Sequence, residues 1–356
     1  MEKIKINLVD NPSQVYQEIE VDDYNDNMKL VPLGINPFKY FRKPTNYLIN
    51  NAKILGISNL ILNNFNLGAI NNIVFNVKNT DKIFHNSEKY IEYVEKKLFF
   101  TVVNEENIEK GIFLGSHWNY GHWLFNHLAR LYYCQKTFMK QKIIVNNSIN
   151  NNQFQILKYF NISEKNIKII KSGTMLKVDE LIIPQMPWHA LNGQMWWAPN
   201  SFDFIRNHLG SNQASINDAK KNIFITRSTA RWRRVINEDR LFNIAKKYDF
   251  TLVDIGTLTV DEQLNLGKQT KNLISPFGAN SNFFINLPTG SKFIELAPPT
   301  NQMGVGGPMA IASGIKYLRI NGKPEDKRNP DNIDANYTVN ENEFLDKMVS
   351  FFNLNQ

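Results

Sequence analysis

The chain has 356 residues. This is more than one hydrophobic core usually organises, so the length predicts two domains, with one large α/β domain as the alternative. Hydrophobic residues make up 42% and charged residues 21% of the chain, which excludes disordered and fibrous proteins. Lysine and arginine number 41 against 33 aspartates and glutamates, and the resulting charge of +8 suits an anionic ligand or membrane surface without requiring nucleic acid.

The single cysteine, Cys134, lies in an apolar helical stretch, and we interpret it as a buried thiol in a reducing compartment. The first residues, MEKIKINLVDNP, lack the apolar run of a signal peptide, and no later window resembles a membrane-spanning helix. The sequence therefore predicts a cytoplasmic protein, with a peripheral position at the inner face of the plasma membrane left open.

From about residue 72, short β-rich runs alternate with amphipathic helical stretches, as in a mostly parallel sheet covered by helices. The spacing of apolar residues predicts a helix over 120–138. The strands predicted in this first half are 73–77, 112–115, 142–146, 168–171 and 180–184.

A polar segment at 210–221 is the predicted linker between an N-terminal domain, 1–209, and a C-terminal domain, 222–356. Two α/β halves of similar size predict a cleft between them, facing the carboxyl ends of the strands. The predicted strands of the second half are 222–226, 250–254, 272–275, 292–296 and 317–320, and its predicted helices are 238–248, 260–268, 281–287, 308–313 and 341–353.

The segment 271–298 joins a buried strand to a helix through Gly278 and Ala279. Small residues at a helix N-terminus let backbone N–H groups, those of Asn280 and Ser281 included, approach a phosphate, although such a turn can also be a tight connection. The next strand ends in Glu295, whose carboxylate can accept hydrogen bonds from both ribose hydroxyls of a nucleotide. The alternative for Glu295 is a solvated residue at the strand end.

A second segment, 224–238, places Arg227 at the exit of a strand and follows it with Arg231, Arg233 and Arg234. A guanidinium group there suits bidentate contact with a diphosphate, whereas the alternative is a basic surface loop that contacts lipid or nucleic acid. Asn237 is a predicted helix N-cap with Glu238 in the first turn, and we assign this pair a structural role.

A third segment, 115–130, contains His117, His122 and His127. Steps of five residues on one helix rotate the side chains apart, so this spacing predicts no metal site. His122 and Asn126 share a helix face, and Gly121 allows a ligand to approach closely, so His122 is the candidate general base. The alternative is a histidine packed in the core.

Three tryptophans, Trp188, Trp196 and Trp197, cluster with His189. Aromatic faces bind sugar rings but also fill ordinary cores. We interpret this stretch as a loop on the acceptor side, with Trp188 and His189 as candidate contacts.

The stretches NYGHWLFNHLARL, ITRSTARWRRVINEDRL and ISPFGANSNFFINLPTGSKFIELAP, in this order, resemble glycosyltransferase family 61, which includes capsular polysaccharide biosynthesis proteins. The resemblance covers roughly residues 110–300. It implies a GT-B-like α/β fold of two Rossmann-like domains. It also implies inverting transfer from a nucleotide sugar without a metal. Whether the last helix packs back on the N-terminal domain is left open.

The resemblance carries specific residues with it. Arg227 and Arg234 match the family's arginines, Asn237 and Glu238 its Asn-Glu pair, Gly278 and Ala279 its Gly-Ala turn, Glu295 its closing glutamate and His122 its motif histidine. Two positions depart from the family, because Phe277 replaces a frequent histidine and Asn126 replaces a frequent acidic residue.

The expected function is therefore a metal-independent, inverting hexosyl- or pentosyltransferase for surface polysaccharide, with no cofactor beyond its nucleotide-sugar substrate. The sequence has no Asp-x-Asp triplet to hold a divalent ion. Expected donor contacts are Arg227, Arg234, Gly278, Ala279, Asn280, Ser281 and Glu295, and expected acceptor contacts are Asn119, His122, Asn126, Trp188 and His189, with His122 and Arg227 catalytic. The alternatives are a non-catalytic glycan- or membrane-binding subunit of the same fold and a nucleic-acid-binding or nucleic-acid-modifying protein.

Overall fold

A computed structural model describes residues 2–5, 7–9, 17–20, 45–55, 61–63, 66–68, 99–185, 188–191, 194–197, 199–298, 306–325 and 334–354. The chain forms two compact units that divide between Ser201 and Phe202. Both units combine helices with parallel strands, which confirms the predicted mixed α/β class.

The first unit is built on a nine-stranded mixed sheet, with two further two-stranded sheets. The strands of this unit are β1 (Glu2–Lys5), β2 (Asn7–Val9), β3 (Gln17–Glu20), β4 (Thr45–Leu55), β5 (Ile61–Asn63), β6 (Asn66–Gly68), β7 (Phe99–Val102), β8 (Asn104–Phe113), β9 (Lys142–Asn146), β10 (Ile167–Ile170), β11 (Thr174–Ile183), β12 (Trp188–Leu191) and β13 (Gln194–Trp197).

The helical parts of the first unit follow β8 and β9. The stretch 120–134, here called the mixed helix, passes from an α turn (Tyr120–His122) through a π turn (Trp123–His127) to a 3₁₀ helix (Leu128–Cys134). Short 3₁₀ turns span Phe138–Lys140 and Glu164–Asn166, and helix α1 spans Asn151–Tyr159. The apolar residues of the mixed helix are buried, as their spacing predicts, and Cys134 is buried among them.

The central strands of the first unit run parallel in the order β10-β9-β8-β11. The chain moves from β8 outward through β9 to β10 and then returns to the other side of β8 as β11. Strand β11 therefore lies on the opposite side of β8 from β9.

The second unit contains a five-stranded parallel sheet in the order β15-β14-β16-β17-β18. Its strands are β14 (Lys221–Ile225), β15 (Phe250–Val253), β16 (Thr270–Pro276), β17 (Lys292–Ala297), β18 (Lys316–Asn321), β19 (Lys323–Pro324) and β20 (Tyr337–Thr338). Its helices are α2 (Pro199–Leu209), α3 (Glu238–Lys246), α4 (Val260–Lys268), α5 (Gly306–Ala312) and α6 (Glu341–Phe352), with 3₁₀ helices at Ile255–Thr257 and Ala279–Asn286.

This strand order is that of a doubly wound fold whose first strand, β14, lies between the second and the third. The connections leave in opposite directions from β14 and β16, so the switch point of the second unit lies between the carboxyl ends of these two strands. Helix α6 buries Phe344, Met348 and Phe352 in the core of its own unit, against apolar residues of the sheet such as Ile294.

Helix α2, which the sequence pattern does not predict, lies mostly in the second unit, which begins at Phe202. Its Arg206 is buried and donates to the carbonyl of Ile285 and the hydroxyl of Thr289, each at 3.1 Å, and to the Asn212 side chain at 2.7 Å. These bonds fix the last turns of α2 to residues of the second unit, although the polar segment at 210–221 follows them.

The predicted elements from residue 112 onward are present, but the strands predicted at 112–115 and 180–184 begin earlier, at Asn104 and Thr174. The strand predicted at 73–77 lies outside the described residues. Two stretches differ in type, because the helix predicted over 120–138 is a sequence of α, π and 3₁₀ turns, and the helix predicted at 281–287 is a 3₁₀ helix. In the described part of the chain, no helix is long and apolar enough to cross a membrane.

Candidate functional site

The switch point of the second unit is framed by two of the predicted residues. Arg227 lies two residues after the end of β14, and Gly278 lies two residues after the end of β16. In open α/β sheets, ligands bind beyond the carboxyl ends of the strands at this point. The topology thus brings two residues that are 51 positions apart to one ligand-binding edge.

Arg227 and Gly278 are in direct contact. Gly278 has φ +148°, in the region that favours glycine. A Cβ atom placed on it would lie 2.6 Å from Cζ of Arg227, so a side chain there would displace the guanidinium group. A glycine is therefore required both by the backbone conformation and by the approach of Arg227.

The guanidinium group of Arg227 is only partly satisfied. One terminal nitrogen donates to the carbonyl oxygen of Trp232 at 3.1 Å, while the buried Nε has no hydrogen-bond partner among the described residues. Burial lowers the pKa of Arg227, partly offset by nearby acidic groups, but an arginine remains charged at neutral pH. The structure therefore holds a positive charge with unused donor capacity at the switch point.

Glu238 fixes the backbone that carries Arg227. Its carboxylate accepts from the backbone N–H of Arg227 at 3.0 Å and from the hydroxyl of Thr226. Burial raises the pKa of Glu238, and these two hydrogen bonds oppose that rise. The contacts agree with the structural role predicted for this residue.

Asn237 does not cap helix α3, so that prediction is wrong. Its side chain donates to the carbonyl of Val339 at 2.8 Å and accepts from the N–H of Val339 at 3.1 Å. No N–H group of helix α3 donates to the Asn237 side chain. The physical reason is that an amide satisfies a buried backbone donor and acceptor together, which ties α3 to the segment before α6.

The other arginines of this loop take different positions. Arg233 pairs with Asp334 at 2.7 Å and lies over the ring of Phe277, whose centroid is 5.0 Å from its Cζ. Arg234 is exposed, and its backbone N–H donates to Asn336. Among the expected donor contacts, Arg227 and Gly278 are brought together. Phe277, which stands where the resembling sequences often have a histidine, lies under the guanidinium group of Arg233.

Glu295 lies on β17 and is fully buried. Its Oε2 accepts from the hydroxyl of Tyr317 at 2.8 Å, while Oε1 has no hydrogen-bond partner in the described part of the chain. Burial raises the pKa of Glu295, and the Tyr317 hydroxyl, the charge of Arg319 and the Ser281 hydroxyl partly oppose this rise. The prediction of a solvated strand-end residue is excluded, and one carboxylate oxygen is already occupied.

Small residues surround the unpaired oxygen of Glu295. A Cβ on Gly306, the first residue of α5, would lie 3.0 Å from Oε1 and 3.8 Å from Oγ of Ser281. Ser281 donates to the carbonyl of Gly278 at 2.8 Å. The expected contacts Gly278, Ser281 and Glu295 thus form one neighbourhood. Ala279 and Asn280 begin its 3₁₀ helix and are half-buried. Sequence reasoning missed Tyr317, which only strand pairing brings to Glu295.

In the first unit, His122 and Asn126 are in contact as predicted. The amide nitrogen of Asn126 lies 3.1 Å from Nδ1 of His122. His122 ends the α turn and Asn126 lies in the π turn of the mixed helix. Single π turns are rare and occur often at functional sites, because they change which side chains face each other.

The start of the mixed helix is fixed by its own polar residues. Oδ1 of Asn119 accepts hydrogen bonds from the N–H groups of Gly121 and His122. Asn119, expected to contact the sugar acceptor, is therefore the N-cap of the mixed helix. Nδ1 of His117 accepts from the N–H of Asn119 at 2.8 Å. Gln153 of α1 donates to the carbonyl of His117 at 2.7 Å. The approach to His122 is therefore well ordered by hydrogen bonds.

His117 is a residue that helical spacing misses, because it precedes the helix. Its ring centroid lies 4.9 Å from that of His122. Burial, together with the neighbouring His122, lowers the pKa of His117 to about 4, so this ring is neutral at pH 7. The Asn119 cap two residues later is the sequence signal that could have separated His117 from the helix.

His127 and Arg130 face the core. Nδ1 of His127 lies 2.8 Å from the carbonyl oxygen of Leu114, and Nη1 of Arg130 lies 3.3 Å from it. Nε of Arg130 donates to the carbonyl of Pro184 at 2.8 Å, which joins the exits of β8 and β11. Burial lowers the pKa of His127 to about 3. These two residues are structural.

The tryptophan cluster forms strands rather than the predicted loop. Strands β12 and β13 pair antiparallel, with Trp188 opposite Trp197 and His189 opposite Trp196. The side chains of Trp188 and His189 lie outside the described part of the structure, so their role as acceptor contacts stays a prediction. Among the described residues, no group of three His, Cys, Asp or Glu side chains is placed to hold a metal ion.

A family model described as Glycosyltransferase 61 matches residues 120–294, from the first residue of the mixed helix to the last residue before Glu295. The matched region includes His122, Asn126, Arg227 and Gly278. A search of curated proteins finds no match.

Proposed function

We propose that this chain, which belongs to the glycosyltransferase 61 family and is a glycosyltransferase, transfers a sugar from a nucleotide-sugar donor to a glycan or lipid-linked acceptor. The proposal includes inversion at the anomeric carbon, independence of metal ions and a role in surface polysaccharide synthesis in the cytoplasm. It also includes a GT-B arrangement, with the donor held by the second unit and the acceptor by the first.

The observation that supports the donor site best is the contact between Arg227 and Gly278 at the switch point. A diphosphate there would receive the partly unsatisfied guanidinium group and the first N–H groups of the 3₁₀ helix at Ala279, which have no partner inside their helix. The carboxylate of Glu295, through its unpaired Oε1, would accept from the ribose hydroxyls.

The reaction forms a bond between the acceptor oxygen and the anomeric carbon, and breaks the bond from that carbon to the nucleotide phosphate. Arg227 would stabilise the negative charge that develops on the leaving diphosphate in the transition state. A metal ion would then not be needed to neutralise this charge. The acceptor hydroxyl loses its proton to a general base, for which His122 is the candidate.

The orientation of the Asn126 amide also favours a second candidate function. With Nδ2 of Asn126 donating to Nδ1 of His122, the ring carries its proton on Nε2, so that nitrogen can donate a hydrogen bond but cannot accept a proton. In a non-catalytic, glycan-binding subunit this arrangement would be permanent. In an enzyme the amide must turn so that Oδ1 faces Nδ1.

A peripheral membrane position is proposed for the same protein. Trp232 is 52% exposed and lies under the guanidinium group of Arg231, at 4.6 Å from ring centroid to Cζ, beside the exposed Arg234. Arginine with an exposed indole suits the interface of an anionic membrane, where a lipid-linked acceptor would reside.

The test is a panel of nucleotide sugars examined by thermal shift and by release of free nucleotide, with and without EDTA. A donor at about a hundred times its Kd should stabilise the protein by about 2.7 kcal/mol. We expect stabilisation by one nucleotide class and slow, EDTA-resistant hydrolysis of the sugar. Binding without hydrolysis under all conditions would instead support the non-catalytic subunit, and loss of hydrolysis on chelation would contradict a metal-free mechanism.

A further inference from the structure

Trp118 is an exposed indole in an otherwise buried approach to His122. It is 65% exposed, whereas His117, which precedes it, is 5% exposed and Asn119, which follows it, is half-buried. Burial of a tryptophan is normally favourable, so an indole held in solvent is an unused binding surface.

The indole of Trp118 is held in place rather than mobile on a loose loop. Its ring stacks on that of His117, with centroids 5.5 Å apart and an interplanar angle of 28°. His117 is fixed by the N–H of Asn119 and by Gln153, and Asn119 caps the mixed helix. A surface ordered before binding loses little conformational freedom when a ligand arrives.

The rings of Trp118, His117 and His122 form a continuous series from solvent to the candidate base. The centroid distances are 5.5 Å for the first pair and 4.9 Å for the second. Half-buried polar groups of Asn119 and His122 lie beside the apolar face. One apolar plane with adjacent hydrogen-bonding groups matches the two faces of a sugar ring, which offers C–H groups on one side and hydroxyls at its edge.

We propose that Trp118 is the stacking platform for the terminal sugar ring of the acceptor, positioned so that a hydroxyl of this ring reaches His122. The inference rests on the proposed function, because it identifies the bound ring with the sugar acceptor. It names a carbohydrate ring as the ligand class at a position for which the sequence analysis has no role.

The local charge favours a sugar over a membrane at this position. The loop 115–121, GSHWNYG, contains no lysine or arginine. The other strongly exposed tryptophan in the described part of the chain, Trp232, lies among arginines and is the one suited to anionic lipid. The two indoles therefore serve different surfaces.

Nuclear magnetic resonance can test binding without any turnover. The chain has six tryptophans, and the indole N–H signal that disappears in Trp118→Phe is that of Trp118. Methyl glycosides of glucose, galactose, mannose and N-acetylglucosamine serve as probes, since they have no aromatic aglycone that could stack by itself. We expect at least one glycoside to shift the Trp118 signal in a saturable manner.

Trp118→Ala should raise the Kd for that glycoside, and the acceptor KM in transfer assays, by about tenfold, in keeping with roughly 1–1.5 kcal/mol for an aromatic contact. The donor KM should not change. Met139→Ala, which removes another exposed apolar side chain of the first unit (47% exposed), is the matched control and should leave both values unchanged.

Three outcomes would overturn the proposal: no glycoside shifts the Trp118 signal, Trp118→Ala binds glycosides as tightly as the wild type, or anionic vesicles shift the signal while glycosides do not. The failure of the two proposals can be told apart. If glycosides bind at Trp118 but no nucleotide sugar binds or is turned over, the proposed transferase activity fails and the sugar site remains.

Discussion

The amide nitrogen of Asn126 lies 3.1 Å from Nδ1 of His122, within a helix that changes from α to π geometry between these two residues. The orientation of the amide decides which ring nitrogen carries the proton. An amide can either donate to Nδ1 or, turned by half a rotation, accept from it, whereas a carboxylate can only accept. The asparagine therefore leaves the tautomer of His122 undetermined where an acid would fix it.

Asn126→Asp should consequently raise kcat. The carboxylate would accept a hydrogen bond from Nδ1–H, leave Nε2 unprotonated towards the sugar acceptor and stabilise the doubly protonated ring after proton transfer. We expect kcat to increase by roughly tenfold, because in Ser-His-Asp triads an aspartate beside the histidine supports faster turnover than an asparagine does. The ¹⁵N spectrum of His122 should report the Nδ1–H tautomer. Asn126→Ala, which offers no partner, should lower kcat. A folded Asn126→Asp variant with unchanged tautomer and lower kcat would contradict this role.

His122→Ala should lower kcat by about a hundredfold or more, because a general base contributes at least that much, while donor affinity stays near that of the wild type. His127→Ala is the comparison within the same helix. Since His127 is buried and bonded to the carbonyl of Leu114, its loss should mainly lower the melting temperature. Equal turnover in a stable His122→Ala protein would move the search for the base to carboxylates elsewhere.

Arg227→Ala should weaken donor binding by roughly tenfold to a hundredfold, which corresponds to about 1.5–3 kcal/mol for hydrogen bonds to a charged group. The melting temperature should change little, because among the described residues the guanidinium group donates to the Trp232 carbonyl alone and its Nε has no partner. Nucleotide affinity is measured by calorimetry. Arg240→Ala, which removes an exposed arginine paired with Glu341, is the control for a change in charge alone. An unfolded Arg227→Ala protein would make this arginine structural.

Gly278→Ala should lower both stability and donor affinity. The strain of φ +148° costs about 1–3 kcal/mol for a residue with a side chain, and the new Cβ would push Arg227 away from the switch point. Gly256→Ala, at a glycine where a Cβ would meet only the Asp254 side chain at 3.1 Å, is the matched control. In the double variant Arg227→Ala/Gly278→Ala the overlap is gone. Its loss of unfolding free energy should therefore be smaller than the sum of the losses in the two single variants. Strict additivity would show that the two residues do not interact.

The sequence predicts the five parallel strands of the second unit and the helical segments between them, because each strand is a short apolar run and each connection has a polar face; it does not predict α2, β19 or β20. Strand β14 and helix α4 are found within one residue of their predicted ends. The switch-point neighbours Arg227 and Gly278 could be found because both directly follow strands, and parallel strands end at one edge of the sheet.

The missed features depend on contacts that no local pattern encodes. Tyr317 meets Glu295 only because β17 and β18 pair in register, and His117 meets His122 only because Asn119 starts the helix between them. Asn237 precedes a helix as an N-cap does, yet the backbone of Val339, 102 residues away, competes successfully for its amide. In each case a long-range partner decides the role of a side chain whose neighbours in sequence indicate another.

The buried carboxyl of Glu295 should make stability depend on pH. Burial raises its pKa above the ordinary value of 4.5, so the folded state favours the neutral form. The stability gained from this preference is complete below pH 4.5 and is lost as the pH rises through the higher pKa of the folded state. The wild type should therefore lose unfolding free energy over that interval.

Glu295→Gln removes the titration but keeps an oxygen that can accept from the Tyr317 hydroxyl. The difference in unfolding free energy between variant and wild type should grow in favour of the variant as the pH rises from 5 to 8, as measured by chemical denaturation at each pH. Tyr317→Phe provides the control, because it removes the hydroxyl that donates to Oε2 of Glu295 and should destabilise the protein at high pH, where the carboxylate form is buried. A difference between Glu295→Gln and wild type that is constant from pH 5 to 8 would mean that Glu295 does not change its protonation state in this range. The carboxylate form would then already be stabilised in the folded protein, which is the form a ribose-binding residue requires.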